Sequence, residues 1–471
     1  MPDDKKQVVV IGGGPGGYPA AFHAADLGMQ VTLVDMEVNP GGVCLYRGCI
    51  PSKTLLHAAA VLDELQHAKD IGIEVAGVKV DVVKLRAWKE SMVKGLTGGL
   101  GQLCKMRKIR FVQGRATFLD STSIKVQLAA GGEETIRYDH AILATGSRPA
   151  VIPGLPATSR IMDSTGALAL EEVPDRLLVI GSGYIGLELG QVYAALGSQV
   201  SMVEMLPQLL PGADRDIVAV LAKKLQKQMK QVMLETVVAG VTELPDGLQV
   251  TFRDKVGAET VQVFDRILVA VGRKPNTEHL GLEQTKVRVN QAGFVEVDAH
   301  CRTADAAIMA IGDVAGQPML AHKATAEGRV AAECLAGQEA SFAPAAIPAV
   351  VFTNPELAWC GLTESEAAAK DLKVKIAKFP WAASGRARIL GLADGLTKLV
   401  LDAATERVLG VAVAGQGAGE LLAEGVLAVE TGATAKSLAL TVHAHPTLSE
   451  TMLEAAEAAS GHSTHFMGRK P

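Results

Sequence analysis

The chain is short of aromatic side chains, which make up 4% of it, and it has no surplus of positive charge, with 46 Lys and Arg against 51 Asp and Glu. Each shortage excludes a class of partner. Without a basic excess there is nothing to neutralise a phosphate backbone, so nucleic acid is not expected to bind. No run of about 20 apolar residues occurs, so no membrane span is expected. The N-terminal MPDDKKQVVV lacks the apolar core and small-residue cleavage site of an export signal, which points to a reducing, cytoplasmic compartment. The six cysteines include no Cys-x-x-Cys spacing, so no structural zinc site, and no other metal site, is expected. Glycine, in contrast, is abundant at 49 residues. That many glycines imply many tight turns or close backbone approaches. At 471 residues the chain is long enough for about three domains.

One internal repeat organises the sequence. Residues 8–35, VVVIGGGPGGYPAAFHAADLGMQVTLVD, align without a gap on residues 177–204, LLVIGSGYIGLELGQVYAALGSQVSMVE. Each copy has an apolar strand, Gly-x-Gly-x-x-Gly, a small-residue helix, a second apolar strand and an acid. Taken together these are the marks of a dinucleotide-binding unit. The first glycine permits the turn, the second lets backbone approach a pyrophosphate, and the third lets helix and strand pack closely. The helix N-terminus offers N–H donors to the phosphates. The acids Asp35 and Glu204 suit the hydroxyls of an adenosine ribose. Two copies imply two dinucleotides. A carboxylate at Glu204, with no Arg before Arg215, favours NAD over its 2′-phosphorylated form.

Further strands read as DHAILATGS (139–147), RILVAVGR (266–273) and IMAIGD (308–313). The last puts Asp313 at the carboxyl edge of a sheet, where ligands of open α/β sheets bind; a helix N-cap is the alternative role for that carboxylate. After about residue 346 the pattern changes to alternating strands (TKLVLD, RVLGVAVAG) and helices (GELLAEGVLAVETG, LSETMLEAAEAAS). The expected architecture is α/β, with two Rossmann-like dinucleotide-binding domains and a C-terminal α+β domain. The expected divisions are 1–150, 151–272, 273–345 and 346–471.

Cys44 and Cys49 form a close pair, and the TLLHAAAVL that follows Lys53 reads as a helix. In a reducing compartment such a pair is more often catalytic than structural. Residues five apart in a regular helix have Cα atoms roughly 8–9 Å apart, while a disulfide needs about 4.4–6.8 Å. Bonding therefore requires a local break, which Gly48 would permit. Cys49, expected just before the helix, would have its thiolate stabilised by the helix N-terminus and by Lys53.

The ordered set GGGPGG, GGVCLYRGCIPSK, ATGSRP, GSGYIGLELG, VGRKPNT, AIGDVAGQPMLAHKA and HAHPTLSE resembles the class I pyridine nucleotide–disulfide oxidoreductases, from about residue 7 to 460. The resemblance implies FAD on Gly12, Gly14, Gly17, Asp35, Thr145, Gly146 and Asp313, with Leu320 and Ala321 as further candidates. It implies Lys53 beside the flavin and paired with Glu188. It implies NAD on Gly181, Gly183, Gly186 and Glu204, with Gly272 nearby. Cys49 would face the flavin and Cys44 the substrate. His445, oriented by Glu450, would be the acid–base, since His titrates near neutrality. His443 is expected to be structural. The resemblance further implies a homodimer whose His445 reaches the partner's cysteines, and a C-terminal domain that forms the interface. The implied reaction is oxidation of a protein-bound dihydrolipoyl group with NAD⁺ as acceptor. The implied partner is a lipoyl-bearing carrier or acyltransferase of a 2-oxoacid dehydrogenase or related complex.

Three positions depart from the family pattern. Tyr46 and Arg47 replace an Asn and a small residue, and Asp35 replaces a Glu. Arg47 is expected to add charge beside Cys44, the substrate-facing sulfur. Tyr184 suits either a cover over the flavin or a packing role. Two other readings stay open here. One is a reductase of another disulfide, such as glutathione, against which Glu204 and the lack of cysteine after Cys360 speak. The other is a non-catalytic flavoprotein subunit, which would need none of Cys44, Cys49, His445 and Glu450.

Overall fold

The computed structural model describes residues 5–467. The first four residues, part of the N-terminal segment considered above, lie outside that range. The apolar run near the N-terminus forms strand β1 (Gln7–Ile11), in which Val8, Val9 and Val10 are buried. Helix α1 (Gly17–Asp26) and strand β2 (Gln30–Asp35) follow, and β2 pairs with β1 in parallel. A β-branched run buried on both faces is the usual strand of a parallel sheet with covered faces.

Seven strands make the first sheet, in the order Ile308–Ala310, His140–Leu143, β1, β2, Arg110–Asp120, Ser123–Leu128 and Glu133–Arg137. The first five run parallel, and the last two continue the sheet antiparallel. The second glycine unit lies in a five-stranded parallel sheet, ordered Gln231–Met233, Gln199–Val203, Arg176–Ile180, Arg266–Val269 and Ile161–Met162. A three-stranded antiparallel sheet (Thr236–Leu244, Gly247–Asp254, Glu259–Phe264) branches from it. Ser147–Pro149 pairs antiparallel with Arg273–Pro275 where the chain leaves the first sheet and returns to it. We propose that the chain divides at 1–150, 151–272, 273–345 and 346–471. That crossing pair, and the return of Ile308–Ala310 to the first sheet, support the first two divisions.

The C-terminal sheet is antiparallel, in the order Ala349–Val351, Leu357–Gly361, Val408–Ala414, Leu396–Asp402 and Val374–Pro380. Its core closes on Trp381, which is fully buried and donates from Nε1 to Thr397 Oγ1 at 2.9 Å. A Cβ on Gly395 or Gly415 would lie 2.3 Å from the indole ring, so both must be glycine for the ring to fit.

Lys398 on this sheet is fully buried and ties it to the second unit. Its Nζ lies 2.6 Å from Asp214 and 2.8 Å from Asp216, at the start of helix Arg215–Gln228, and 3.3 Å from Glu364. Removing the Lys398 ammonium would cost about 3–5 kcal/mol, because it leaves the buried Asp214 carboxylate without its cation. Among the described residues no helix is long and apolar enough to cross a membrane.

Candidate active site

The first glycine turn is shaped by close contacts. Gly12 has φ +102°, and a Cβ there would sit 2.3 Å from the Ala144 carbonyl oxygen. A Cβ on Gly17 would lie 1.7 Å from the Gly12 oxygen, so α1 packs directly on the turn. Asp35 braces it from the end of β2. Its Oδ2 accepts the Gly13 N–H at 2.5 Å and its Oδ1 accepts the Glu37 N–H at 2.8 Å. Burial pushes the Asp35 carboxyl up from its usual range, against those two donors.

Next comes helix α2 (Gly42–Arg47), which carries Cys44. Gly42 has φ +57°, and a Cβ on it would meet the Gly14 Cα at 2.4 Å. The cysteine helix therefore sits on the glycine turn. Gly48 breaks the chain, with φ −142° and ψ −113°, and a Cβ there would lie 2.9 Å from the Val43 oxygen. Helix α3 (Cys49–His67) then starts at Cys49 itself, several residues earlier than its apolar pattern indicates. Pro51 and Lys53 mask that start in the sequence, although Pro is tolerated in a first helical turn.

Both cysteines are free thiols here, and they are unequal. A hydrogen bond from the Cys44 thiol draws Cys49 down to about 7; burial opposes this and Lys53 assists it. Cys44, as the donor, is pushed well above its ordinary value. Lys53 Nζ is 2.8 Å from Glu188 Oε2 and 4.5 Å from the centroid of the Phe352 ring. Glu188 is buried, and its other oxygen accepts the Phe352 N–H at 3.0 Å. The Arg47 guanidinium pairs with Glu37 and lines the same cavity as the sulfurs, and the cation that acts on both cysteines is Lys53.

These groups share one cavity of about 750 Å³. It is lined by Asp35 and Glu37, by Gly12, Gly14 and Gly42, and by Cys44, Cys49, Lys53 and Glu188. Thr145, Gly146, Asp313, Ala321 and Tyr184 also line it. Asp313 caps no long helix, since the next one begins at Ala321; its Oδ2 instead accepts from Ser147 Oγ at 2.5 Å. Gly17 lies behind the turn, and Leu320 precedes the helix without lining the cavity. Ser147 and Phe352 are site residues that sequence reasoning missed. Ser147 stood inside the ATGSRP stretch, while nothing local marks Phe352.

In the second unit the same brace recurs. Glu204 Oε2 accepts from Ser182 N at 2.9 Å and Ser182 Oγ at 2.8 Å, and Oε1 accepts from Leu206 N at 2.9 Å. Gly181 and Gly186 are as tightly packed as Gly12 and Gly17, and a Cβ on Gly183 would meet nothing within 4 Å. Gly272 joins the crossing strands, its oxygen accepting the Ala150 N–H at 2.9 Å. Helix Tyr184–Ala195 then turns its first residues into the cavity of the first unit.

His445 Nδ1 lies 2.9 Å from Glu450 Oε1. Burial alone would raise Glu450, but the Thr447 N–H and His445 outweigh it and hold the carboxyl below its usual range. The His445 side chain is 73% exposed and does not line the cavity, so one chain does not bring it to Cys44. His443 is held by Glu424 at 3.0 Å and the Thr441 oxygen at 2.8 Å, a structural arrangement.

The residues fit two dinucleotides. Both glycine helices begin without a side-chain cap, which leaves their first N–H groups free for phosphate. The first cavity also runs from the ribose-type acid Asp35 to the thiols, as a long two-headed ligand requires.

The comparisons with known proteins agree on the class. Residues 6–328 match the pyridine nucleotide-disulphide oxidoreductase family, and residues 347–456 match its dimerisation domain. The chain belongs to that family and carries the domain through which it dimerises. Within the family, it is 48% identical to the dihydrolipoyl dehydrogenase of Haemophilus influenzae over 99% of this chain and 97% of that one. It is 47% identical to the dihydrolipoyl dehydrogenase of Thermus scotoductus, over 98% and 99%. Among solved structures, LpdA from Mycobacterium tuberculosis superposes with a TM-score of 0.89 at 29% identity, covering 96% of this chain and 99% of that one. The Cu(II) complex of RclA, an HOCl-induced flavoprotein disulfide reductase from Escherichia coli, gives 0.86 at 29% identity, covering 97% and 99%.

Proposed function

We infer that the chain is a dihydrolipoyl dehydrogenase: it oxidises protein-bound dihydrolipoyl groups to the cyclic disulfide and reduces NAD⁺ to NADH. The observation that carries this is the thiol pair: Cys44 and Cys49, set apart by the chain break at Gly48, share one cavity with Lys53, whose charge lowers the Cys49 thiol. FAD, when bound in that cavity, supplies the electron relay between thiols and nicotinamide.

The chain's own residues then have distinct tasks. In the oxidised enzyme Cys44 and Cys49 are joined. A substrate thiol gives its proton to His445 Nε2, the nitrogen left free when Glu450 engages Nδ1. The thiolate attacks Cys44 Sγ, the Cys44–Cys49 bond breaks, and Cys49 leaves as a thiolate stabilised by Lys53. The His445 cation gives its proton to Cys44 as that sulfur leaves, and takes the proton of the second substrate thiol, which attacks the substrate sulfur of the mixed disulfide and closes the ring. Glu450 orients the imidazole and stabilises its cation. His445 is exposed and remote from Cys44 within one chain, so the His445 that serves Cys44 belongs to the partner of a homodimer. Gly181, Gly183, Gly186 and Glu204 hold NAD, with Gly272 and Glu188 at the junction of the two units. Gly12, Gly14, Gly17, Asp35, Thr145, Gly146, Asp313, Leu320 and Ala321 hold or frame FAD. A lipoyl-bearing carrier or acyltransferase of a 2-oxoacid dehydrogenase or related complex delivers the substrate. A reducing compartment, the cytoplasm, suits an exchangeable thiol pair.

The purified protein is to be assayed in parallel with dihydrolipoamide plus NAD⁺ and with NADPH plus oxidised glutathione. The first pair is expected to turn over, and Cys49→Ser to stop it. Activity with the second pair alone overturns the substrate assignment.

A further inference from the structure

Tyr46 and Arg47 lie between the two cysteines, and the thiol chemistry uses neither. Both side chains leave α2 toward the turn after β2. Arg47 pairs with Glu37. The Tyr46 hydroxyl donates to the Asn39 oxygen at 3.0 Å and accepts the Asn39 N–H at 3.3 Å. The cysteine helix is thereby fastened at two points to residues 37–39. That turn is continuous with the ribose-type acid, because the Glu37 N–H donates to Asp35 at 2.8 Å. Arg47 and Glu37 both line the dinucleotide cavity, next to Asp35 and Met36. Burial raises the Asp35 carboxyl; the Glu37 and Gly13 N–H groups oppose it, the Glu37 charge adds to it, and the Arg47 guanidinium lowers it least. The pair is itself partly exposed, at 41% and 23%. Such pairs add little to folding stability, so its position on the cavity rim is what matters.

We propose that the Arg47–Glu37 pair is a clasp that retains FAD at the Asp35 end of the cavity, with Arg47 as a positioning residue that holds the cysteine helix against the ribose-binding edge. This rests on reading the cavity as the FAD site. For FAD to leave from this end, α2 must part from the 37–39 turn, and that movement carries Cys44 with it.

The test uses full-length holoenzyme and four variants: Arg47→Val, Arg47→Lys, Glu37→Gln and the Arg47→Val/Glu37→Gln pair. FAD release after dilution is followed by the rise in free-flavin fluorescence, beside KM for dihydrolipoamide per bound flavin and the thermal midpoint of the flavin-stripped protein. Arg47→Val and Glu37→Gln are each expected to release FAD about tenfold faster, the scale of one charge-assisted hydrogen bond. The double variant should be no faster than the quicker single, because the two act as one unit. Arg47→Lys should recover most of the retention, and KM for dihydrolipoamide should stay within about twofold, as expected for a group that does not touch substrate. Unchanged release in both singles overturns the clasp. Additive singles overturn it too, as does a lowered midpoint of the stripped protein with unchanged release. A several-fold rise in KM with unchanged release would instead put Arg47 on the substrate. If the unaltered protein binds no FAD at all, the reading of the cavity fails rather than the clasp.

Discussion

The unit that begins at β1 and the one that begins at Arg176 share their brace bond for bond. Gly13 N–H to Asp35 is matched by Ser182 N–H to Glu204, and Glu37 N–H to Asp35 by Leu206 N–H to Glu204. Their surroundings differ. Over the first turn lie the cysteine helix and residues 114–116, 144–148, 276, 278–280, 311–313, 319, 321 and 324, which together enclose a cavity. The glycines and acid of the second line none of that cavity, and its helix turns its first residues toward the first unit instead. A local sequence can thus make a phosphate-ready turn twice, while the rest of the chain decides how deeply each is covered. A deep site suits a resident cofactor, and an open one suits a nucleotide that must come and go.

That contrast can be broken by experiment. The largest effect is expected from Gly17→Ala, whose Cβ would lie 1.7 Å from the Gly12 oxygen. It should abolish bound flavin, and with it all dithiol–NAD turnover, as read from the 450 nm region and the coupled assay. Gly186→Ala meets the Gly181 oxygen at 2.1 Å, yet it should keep its flavin and lose only NAD affinity. If it also loses flavin, the two sites are not separable.

Glu204→Ala should come next. It leaves the buried Ser182 N–H unpaired, at a cost of about 1–3 kcal/mol, and removes the ribose acceptor. KM for NAD⁺ is expected to rise roughly 10–100-fold, the worth of a charge-assisted hydrogen bond. Flavin content should not change, and differential scanning calorimetry should show a lower midpoint.

A subtler effect is expected at Lys53, the point where the two units meet through Glu188. In the two-electron-reduced enzyme, iodoacetamide labelling of Cys49 should follow a thiolate midpoint of about 7. Below that pH the proton returns and labelling slows. Lys53→Met removes a cation that lowers the pKa, so the midpoint should move up, and at a fixed neutral pH the variant should label more slowly. An unmoved midpoint would mean that Lys53 acts only through packing.

The smallest effect belongs to Gly183→Ala. Its Cβ would enter open space, and its backbone, at φ −69° and ψ 174°, suits any residue. The thermal midpoint should stay put while KM for NAD⁺ rises a few-fold, because the added methyl stands where a pyrophosphate approaches. No change in KM would argue that NAD does not pass this turn.

Much of this was legible in the chain. The repeat is dense in glycine, and at Gly12, Gly17, Gly181 and Gly186 backbone carbonyls leave no room for a side chain, so that part of the pattern is written in steric terms. The Cys44–Gly48–Cys49 break was legible for the same reason. Arg47 was not, because the sequence says that a charge lies next to Cys44 but not which way a long side chain turns. Phe352 is also invisible locally: it joins the site through a backbone N–H and a ring face, far along the chain from Lys53 and Glu188. The proposed pairing of His445 with a partner's Cys44 has no counterpart in one chain's packing, since the imidazole is exposed and lines no part of its own cavity.

The buried Lys398 has a practical consequence. Its ammonium is sealed between the interface sheet and the helix that begins at Arg215, so an amine-reactive label can reach it only when those two surfaces separate. The rate at which Lys398 acquires such a label, read by mass spectrometry beside that of exposed lysines, is therefore a clock for opening between the nucleotide-binding half and the interface half. It runs independently of flavin colour.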